Sequence, residues 1–404
     1  MQKIRVEEGP EGDEAPFAPI DRFLDHQFQK TKATQSLYQK GPLSLLTFVS
    51  IMGGPVFRAI EYLSSRPGTK IRCCECTEED LSNASSSLRT SNTLVLDETA
   101  VATIFLLGIQ EQVLTLPLTY VVSEGTLAAI RGWRHRVGEQ LRGGHSVAKV
   151  DGKRIGIPNS PEQAKRDMNK IDDLLGLIAA KVKLEGGEAL ATIDRKERDE
   201  LIKLFGQPCA ESMVLARQSG RVYWTDDLYA GEIAKASLQV NRVWTQTVVR
   251  WLVDTGRLES RLLDDVTIGL VERQYSYTIM LPGAITGAVC KSNWDVDEAP
   301  LRQVLDWFGN WGATPSALLA LLSSAIVWIW RQAPIVQRAE AITTRILERL
   351  ASRPSGYVVI ASLERIAGYL FGLDVVNAQR FVGLIREFRR THSGAGGAPT
   401  IEIP

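Results

Sequence analysis

The chain has 404 residues and carries 47 Lys plus Arg against 47 Asp plus Glu, so overall charge points neither toward nor away from nucleic acid. The length allows two or three packed units, and the most apolar stretch, residues 317–330, is too short to cross a bilayer. Five Cys and no secretory-type N-terminus indicate a reducing, cytoplasmic setting.

Residues 1–16, rich in Glu, Gly and Pro, are expected to be loose, and a helical pattern follows over 20–39. Two helices, 43–52 and 56–64, are separated by Gly53-Gly54-Pro55. A strand is expected at 70–76. Within it Cys73, Cys74 and Cys76 have no second pair near enough to complete a zinc set, so they read as buried strand; Cys209 and Cys290 are isolated. A helix over 77–89 starts with acidic residues, where the helix dipole favours them.

The apolar run Leu94-Val95-Leu96 ends in Asp97, and Thr99 opens a helical run to Gly108. Strand, carboxylate, hydroxyl, helix is how an α/β protein delivers an acid to the carboxyl end of a sheet strand; it is equally an ordinary helix cap. Glu98 reads as solvated or as a helix-start residue in preference to a ligand. A strand at 118–123 leads into a helix at 125–141 carrying Arg131, Arg134, His135, Arg136 and Arg142. Asp151-Gly152 marks a hairpin over 147–157 with Lys149, Lys153 and Arg154. This basic track is either a solvated face or a path for a phosphate backbone. Helices follow at 160–184, 196–205 and 210–219, the last with Glu211 in its first turn. A strand at 221–225 ends in Asp226-Asp227, and helix 228–238, strand 241–245 and helix 246–255 complete the alternation, with Trp224, Trp244 and Trp251 as core. Alternating strands and helices imply a mostly parallel sheet between helical layers. Beyond residue 258 strand signals fade, and helices are expected at 262–273, 301–309, 315–331, 336–351, 360–371 and 377–390, packed around Trp and Leu, before a Gly- and Pro-rich tail.

Glu211-Ser212-Met213-Val214-Leu215-Ala216 followed by Tyr223-Trp224-Thr225-Asp226-Asp227 resembles the C-terminal half of a PIN-type nuclease domain. Leu94-Val95-Leu96-Asp97-Glu98-Thr99 is similar to that fold's first strand, and Val243-Trp244-Thr245-Gln246 to its last. The lead-in from Gly41 and the helical tail resemble a bacterial branch in which a PIN-like domain accompanies tetratricopeptide and GreA/GreB C-terminal-like modules. The resemblance implies a three-layer α/β/α PIN-like domain at 91–256 with an insertion at about 143–203. An extension at 1–40, a small α/β lead-in at 41–90, an α-helical C-terminal region at 257–390 and a loose tail at 391–404 surround it.

It further implies a metal-dependent endonuclease acting on nucleic acid, with RNA favoured over DNA and both left open, in a bacterial defence or toxin-like setting. Asp97, Glu211 and Asp226 would hold Mg²⁺ or Mn²⁺, hard cations that prefer carboxylate oxygen. Asp227 would assist, while Thr99, Thr225 and Gln246 would orient carboxylates or a bound water. Arg131, Arg134, Arg136, Arg142, Lys153 and Arg154 would face the nucleic acid, and the helical region would dock a protein partner. The chain departs from the family pattern in the helix after the second strand. Ala129 stands where an acid is common, and Glu124 lies earlier. The competing reading is a catalytically silent PIN-like scaffold serving as an interaction module. A small-molecule enzyme finds no support, since no Gly-rich phosphate loop or nucleophile motif is present.

Overall fold

Leu94, Val95 and Leu96 are apolar on both faces of their strand, and only a strand covered on both sides by helices buries such a run. The computed structural model places them at the centre of that arrangement. It describes residues 4–5, 18–41, 43–66, 68–141, 145–150, 153–158, 160–309 and 313–392, with side chains described from residue 25 onward except at 27 and within 142–159. Of the expected loose ends, 1–3, 6–16 and 393–404 lie outside the described residues, whereas 4–5 form a strand and 391–392 end a helix. The Asp151-Gly152 turn and Arg142 also lie outside, as do the side chains of Lys149, Lys153 and Arg154. The chain divides into two compact units, Met1–Arg257 and Leu258–Pro404.

The first unit runs β1 (Ile4–Arg5), α1 (Ala18–Lys40), α2 (Leu45–Met52), α3 (Val56–Ser64), β2 (Ile71–Arg72), α4 (Glu78–Thr90), β3 (Thr93–Leu96), α5 (Glu98–Leu107), α6 (Gln110–Leu114), β4 (Thr119–Ser123) and α7 (Glu124–Leu141). The antiparallel hairpin β5 (His145–Val150) and β6 (Lys153–Pro158) follows, with β1 paired to β6. Then come α8 (Pro161–Lys181), β7 (Lys183–Glu185), a 3-10 turn at Gly187–Thr192, α9 (Arg195–Phe205), α10 (Gln207–Leu215), β8 (Arg221–Trp224), α11 (Leu228–Leu238), β9 (Arg242–Val243) and α12 (Thr245–Asp254).

Five parallel strands form the central sheet in the order β7-β4-β3-β8-β9. The chain winds outward from β3 in one direction, through β4 to β7, and returns to β8 on the other side. The order therefore reverses between β3 and β8, and in open parallel sheets ligands bind at the carboxyl ends flanking such a switch. Both strands end in the candidate acids. Trp224, Tyr223, Val121 and Val122 pack with β3, and full burial of each large apolar side chain contributes about 1.5–3 kcal/mol. Trp244 is buried as well, while Trp251 is half-buried with the Arg257 guanidinium over its ring.

Several expectations are corrected here. The strand at 70–76 shrinks to β2, since the chain bends already at Cys73 and turns left-handed at Cys76 (φ 55°); Cys73 and Cys74 are nevertheless buried. The helix expected to reach 184 stops at Lys181, and the next residues form the edge strand β7. Its pattern is only three residues long and mostly exposed, too short to display a period. Helix α6 was not foreseen, since Gly108 (φ 70°) ends α5 and the chain restarts within two residues.

The second unit is helical: α13 (Ser260–Glu272), α14 (Pro282–Lys291), α15 (Leu301–Trp307), α16 (Pro315–Gln332), α17 (Val336–Ala351), α18 (Gly356–Phe371) and α19 (Val375–His392), with the short strand β10 (Tyr275–Ser276). Helix α14 adds to the expected set. Its Gly283 and Gly287 weaken a helix signal and let Asp264 and Ile268 of α13 approach closely. The core gathers Ile285, Leu305, Leu322, Ile346, Leu363 and Phe381 among others, and Trp294 stacks on Trp328 at 5.6 Å. No helix among the described residues is long and apolar enough to cross a membrane.

Candidate functional site

The site is built by register. Leu96 pairs with Trp224 across β3 and β8, so Asp97 and Thr225 are the next residues on neighbouring strands, and the Asp97 N–H donates to the Trp224 carbonyl (3.2 Å). Asp97 leaves the strand in extended geometry and turns back over the first turn of α5. Its Oδ1 accepts from the Thr99 N–H (2.9 Å), the Thr99 hydroxyl (2.7 Å) and the Ala100 N–H (2.9 Å). Its Oδ2 accepts from the Tyr223 hydroxyl (2.7 Å), which also meets Cys209 Sγ at 3.2 Å.

Thr99 links the two strand ends. Its hydroxyl donates to Asp97, accepts from the Asp226 N–H (2.9 Å) and lies 3.2 Å from the Thr225 hydroxyl. The Asp226 carboxylate turns toward β9, where Oδ1 accepts from the Thr245 N–H (2.9 Å) and Oδ2 from the Thr245 hydroxyl. Thr245 is in turn held by the Trp224 indole N–H (3.1 Å). Asp227 caps α11, accepting from the Tyr229 (3.1 Å) and Ala230 (3.4 Å) N–H groups, and its other oxygen accepts from the Leu46 N–H (3.0 Å) at the start of α2.

Glu211 lies in the second turn of α10, since that helix begins at Gln207 and not at 210. Its carboxylate accepts from the Gly125 N–H (2.8 Å) at the start of α7 and from Gln207 Nε2 (2.7 Å). Gly125 and Gly187 make the room: a Cβ on either would come within 2.5 Å and 2.9 Å of a Glu211 oxygen. Next to it the hydroxyls of Ser123, Thr126 and Ser212 form a chain that ties α10 to the end of β4.

The four carboxylates therefore share one function in the fold. Asp97 sits at the N-terminus of α5, Glu211 at α7, Asp227 at α11 and α2, and Asp226 at α12. Five helix starts converge on the carboxyl edge of the sheet, and each brings orphan N–H groups and a positive dipole end. Four buried acids answer them. Asp97 is 0% exposed, and Glu211, Asp226 and Asp227 are 1% each.

Burial pushes the Asp97 carboxyl up, and it raises Asp226 and Asp227 to about 6, with the Asp97 charge adding to both. Glu98 is pushed to about 7 by burial, against the pull of the Trp133 indole N–H on its carboxylate (2.7 Å). Glu98 is the helix-start residue expected, opening α5, and it is half-buried under Trp133 instead of solvated. Glu124 is exposed beside Gly186, and Ala129 is on the same helix without a carboxylate.

Among the described residues no three of His, Cys, Asp or Glu gather as ligands of one ion. Every oxygen of Asp97, Asp226, Asp227 and Glu211 already accepts a hydrogen bond. As arranged, this donor set does not fit Mg²⁺ or Mn²⁺.

The basic residues of α7 lie on its outer face. Arg134 pairs with Asp172, His135 lies 3.6 Å from Glu139, Arg136 donates to the Gly53 carbonyl (3.3 Å), and Arg131 is exposed. Gln246 is buried in the first turn of α12, one residue after the Thr245 that binds Asp226. Sequence reasoning missed Tyr223, Thr245 and the Leu46 N–H. Tyr223 and Thr245 look like ordinary strand residues, and an amide has no sequence signature.

Residues 95–236 match the family model of the PIN domain associated with the TPR-GreAB-C-PIN system. The match spans Asp97, Glu211, Asp226 and Asp227 and ends before Thr245. No curated protein and no solved structure matches the chain.

Proposed function

We propose that the PIN-like domain spanning residues 95–236 works as an interaction module, with the acidic edge that would otherwise serve catalysis given over to holding helices together. One observation carries this reading. The four acids are buried with every carboxylate oxygen hydrogen-bonded, each acid to at least one helix start, and α2 is held against them through Leu46. A phosphate reaching Asp97 would have to displace the Tyr223 hydroxyl and uncap α5, leaving buried donors unmet at about 1–3 kcal/mol each. The family match supports a setting among protein or nucleic-acid partners, and in this reading they meet the exposed Arg131 and its neighbours on α7 or the second unit.

A second reading has its own support. Domains of this kind are generally nucleases that use divalent metals, and the Asp97 carboxylate and the Asp226 backbone N–H meet on one hydroxyl, Thr99, at the sheet's switch point. In this reading Asp97, Glu211 and Asp226 hold Mg²⁺ or Mn²⁺ after rearrangement, with Asp227, Thr99, Thr225 and Gln246 in support, and RNA lies along Arg131, Arg134, Arg136, Arg142, Lys153 and Arg154. The ion would supply charge neutralisation at a scissile phosphate. Calorimetric titration with Mn²⁺ and incubation with single-stranded RNA separate the two. The module predicts no saturable Mn²⁺ binding and no cleavage. Cleavage that needs Mn²⁺ and disappears in Asp97→Asn establishes the nuclease instead.

A further inference from the structure

The turn that joins α18 to α19 leaves four large apolar side chains in solvent. Leu373 is 100% exposed and Tyr369 91%, with Val376 at 63% and Val375 at 56%. Single exposed apolar residues are ordinary on a protein surface, but four within eight positions make a patch. The turn itself is well tied. Gly372 (φ 59°) ends α18, the Asp374 N–H donates to the Phe371 carbonyl (3.1 Å) and the Val375 N–H to the Leu373 carbonyl (3.0 Å). Phe371 and Phe381 are wholly buried with ring centroids 5.5 Å apart, so the exposed side chains project from a packed base.

The charges around the patch have one sign. Asp374, the acid in the turn, is engaged by its own helix, accepting from the Asn377 N–H (3.2 Å) and the Asn377 side-chain amide (2.8 Å). Arg331, at the end of α16, donates to the Phe371 carbonyl (3.3 Å) and so brings a guanidinium to the turn. Arg365 lies four residues before Tyr369 on α18, and Arg380 four after Val376 on α19. Four residues apart is the same helix face, about 5.4 Å further back along the axis. All three arginines are exposed, and none pairs with an acid among the described residues.

We propose that this turn docks on an anionic lipid surface. Leu373, Tyr369, Val375 and Val376 enter the interface, and Arg331, Arg365 and Arg380 sit behind them among the headgroups. An apolar tip with cations one helical turn behind it matches the layering of a bilayer edge, whose cytoplasmic leaflet is negative. No bilayer-crossing helix is needed. A second copy of the chain fits less well, since a two-fold pairing of this patch brings like charges together.

Co-sedimentation of the full chain with lipid vesicles tests the proposal, using phosphatidylcholine alone and phosphatidylcholine with about 30% phosphatidylserine. The expected result is binding to the mixed vesicles only, weakening as salt is raised. Leu373→Asp should weaken it at least about tenfold, and Arg380→Gln about fivefold, as removal of one interfacial cation does. Leu373 has no buried surface, so thermal melts of Leu373→Asp should match wild type. The double variant Val375→Asp/Val376→Asp provides a second reading of the same patch. The proposal is overturned if the chain ignores the mixed vesicles, if it binds phosphatidylcholine alone as tightly, or if both patch variants bind like wild type. A dimer in sedimentation velocity that Leu373→Asp dissociates would also overturn it, assigning the patch to a second copy.

Discussion

Replacing Asp97 distinguishes a structural carboxylate from a ligand more sharply than any other change. Asp97 accepts two helix N–H bonds and two hydroxyl bonds at 2.7–2.9 Å and is wholly buried. Asp97→Ala removes a cap, costing about 1–2 kcal/mol. It also leaves buried donors without an acceptor, at about 1–3 kcal/mol more. We therefore expect a loss of about 3–5 kcal/mol. Asp97→Asn keeps Oδ1 for the cap, and the Tyr223 hydroxyl can rotate to accept from the new amide. It also removes a charge that burial disfavours, so its cost should stay within about 1 kcal/mol. Because the chain has two compact units, hydrogen exchange on the peptide covering 93–107 is a better readout than a single global transition. If Asn proves as damaging as Ala, the negative charge itself is required. If Ala is harmless, the cap does not hold this edge together.

The other expectations follow the same edge. Asp226 and Asp227 at about 6, and Glu98 at about 7, have folded values above their ordinary ones, so their protonated forms favour the fold. Their contribution is full below about pH 4 and lost as pH rises through 6 to 7, so the first unit should gain on the order of 2–3 kcal/mol between pH 8 and 5.5. Thermal melts that fall steadily over that acidification contradict the assignment, and Asp97→Asn should flatten the slope because the Asp97 charge raises all three. Asp227→Ala should release the Leu46 amide, seen as exchange at least about tenfold faster at the start of α2 than in wild type, which is roughly 1.4 kcal/mol. Unchanged protection there would mean α2 is held by apolar packing alone. Gly125→Ala puts a Cβ within 2.5 Å of Glu211 Oε2 and 3.0 Å of the Pro208 Cα, and overpacking of this kind costs about 1–3 kcal/mol. Adding Glu211→Ala should recover only part of it, since the Pro208 backbone remains; a denaturation midpoint equal to wild type in the single variant refutes the close approach.

The sequence by itself determined the alternation and the acids at its breaks. Uninterrupted apolar runs such as Leu94–Leu96 need a sheet covered on both faces, and Asp97 and Asp226-Asp227 must then emerge at carboxyl ends. A local signal also sufficed for the helix start at Ser160, because a cap is a contact within four residues. Only the tertiary structure decided what the acids do. Whether Asp97 faces a cleft or a Tyr223 hydroxyl depends on a residue 126 positions away, and Asp227 meets Leu46 across 181. The edge strand β7 and the shortened β2 were likewise invisible, the first too short for a period and the second ended by a bend at Cys73 inside an apolar run. A carboxylate's chemistry is set by the donors and solvent around it, and those are assembled by strand order, which no local pattern encodes.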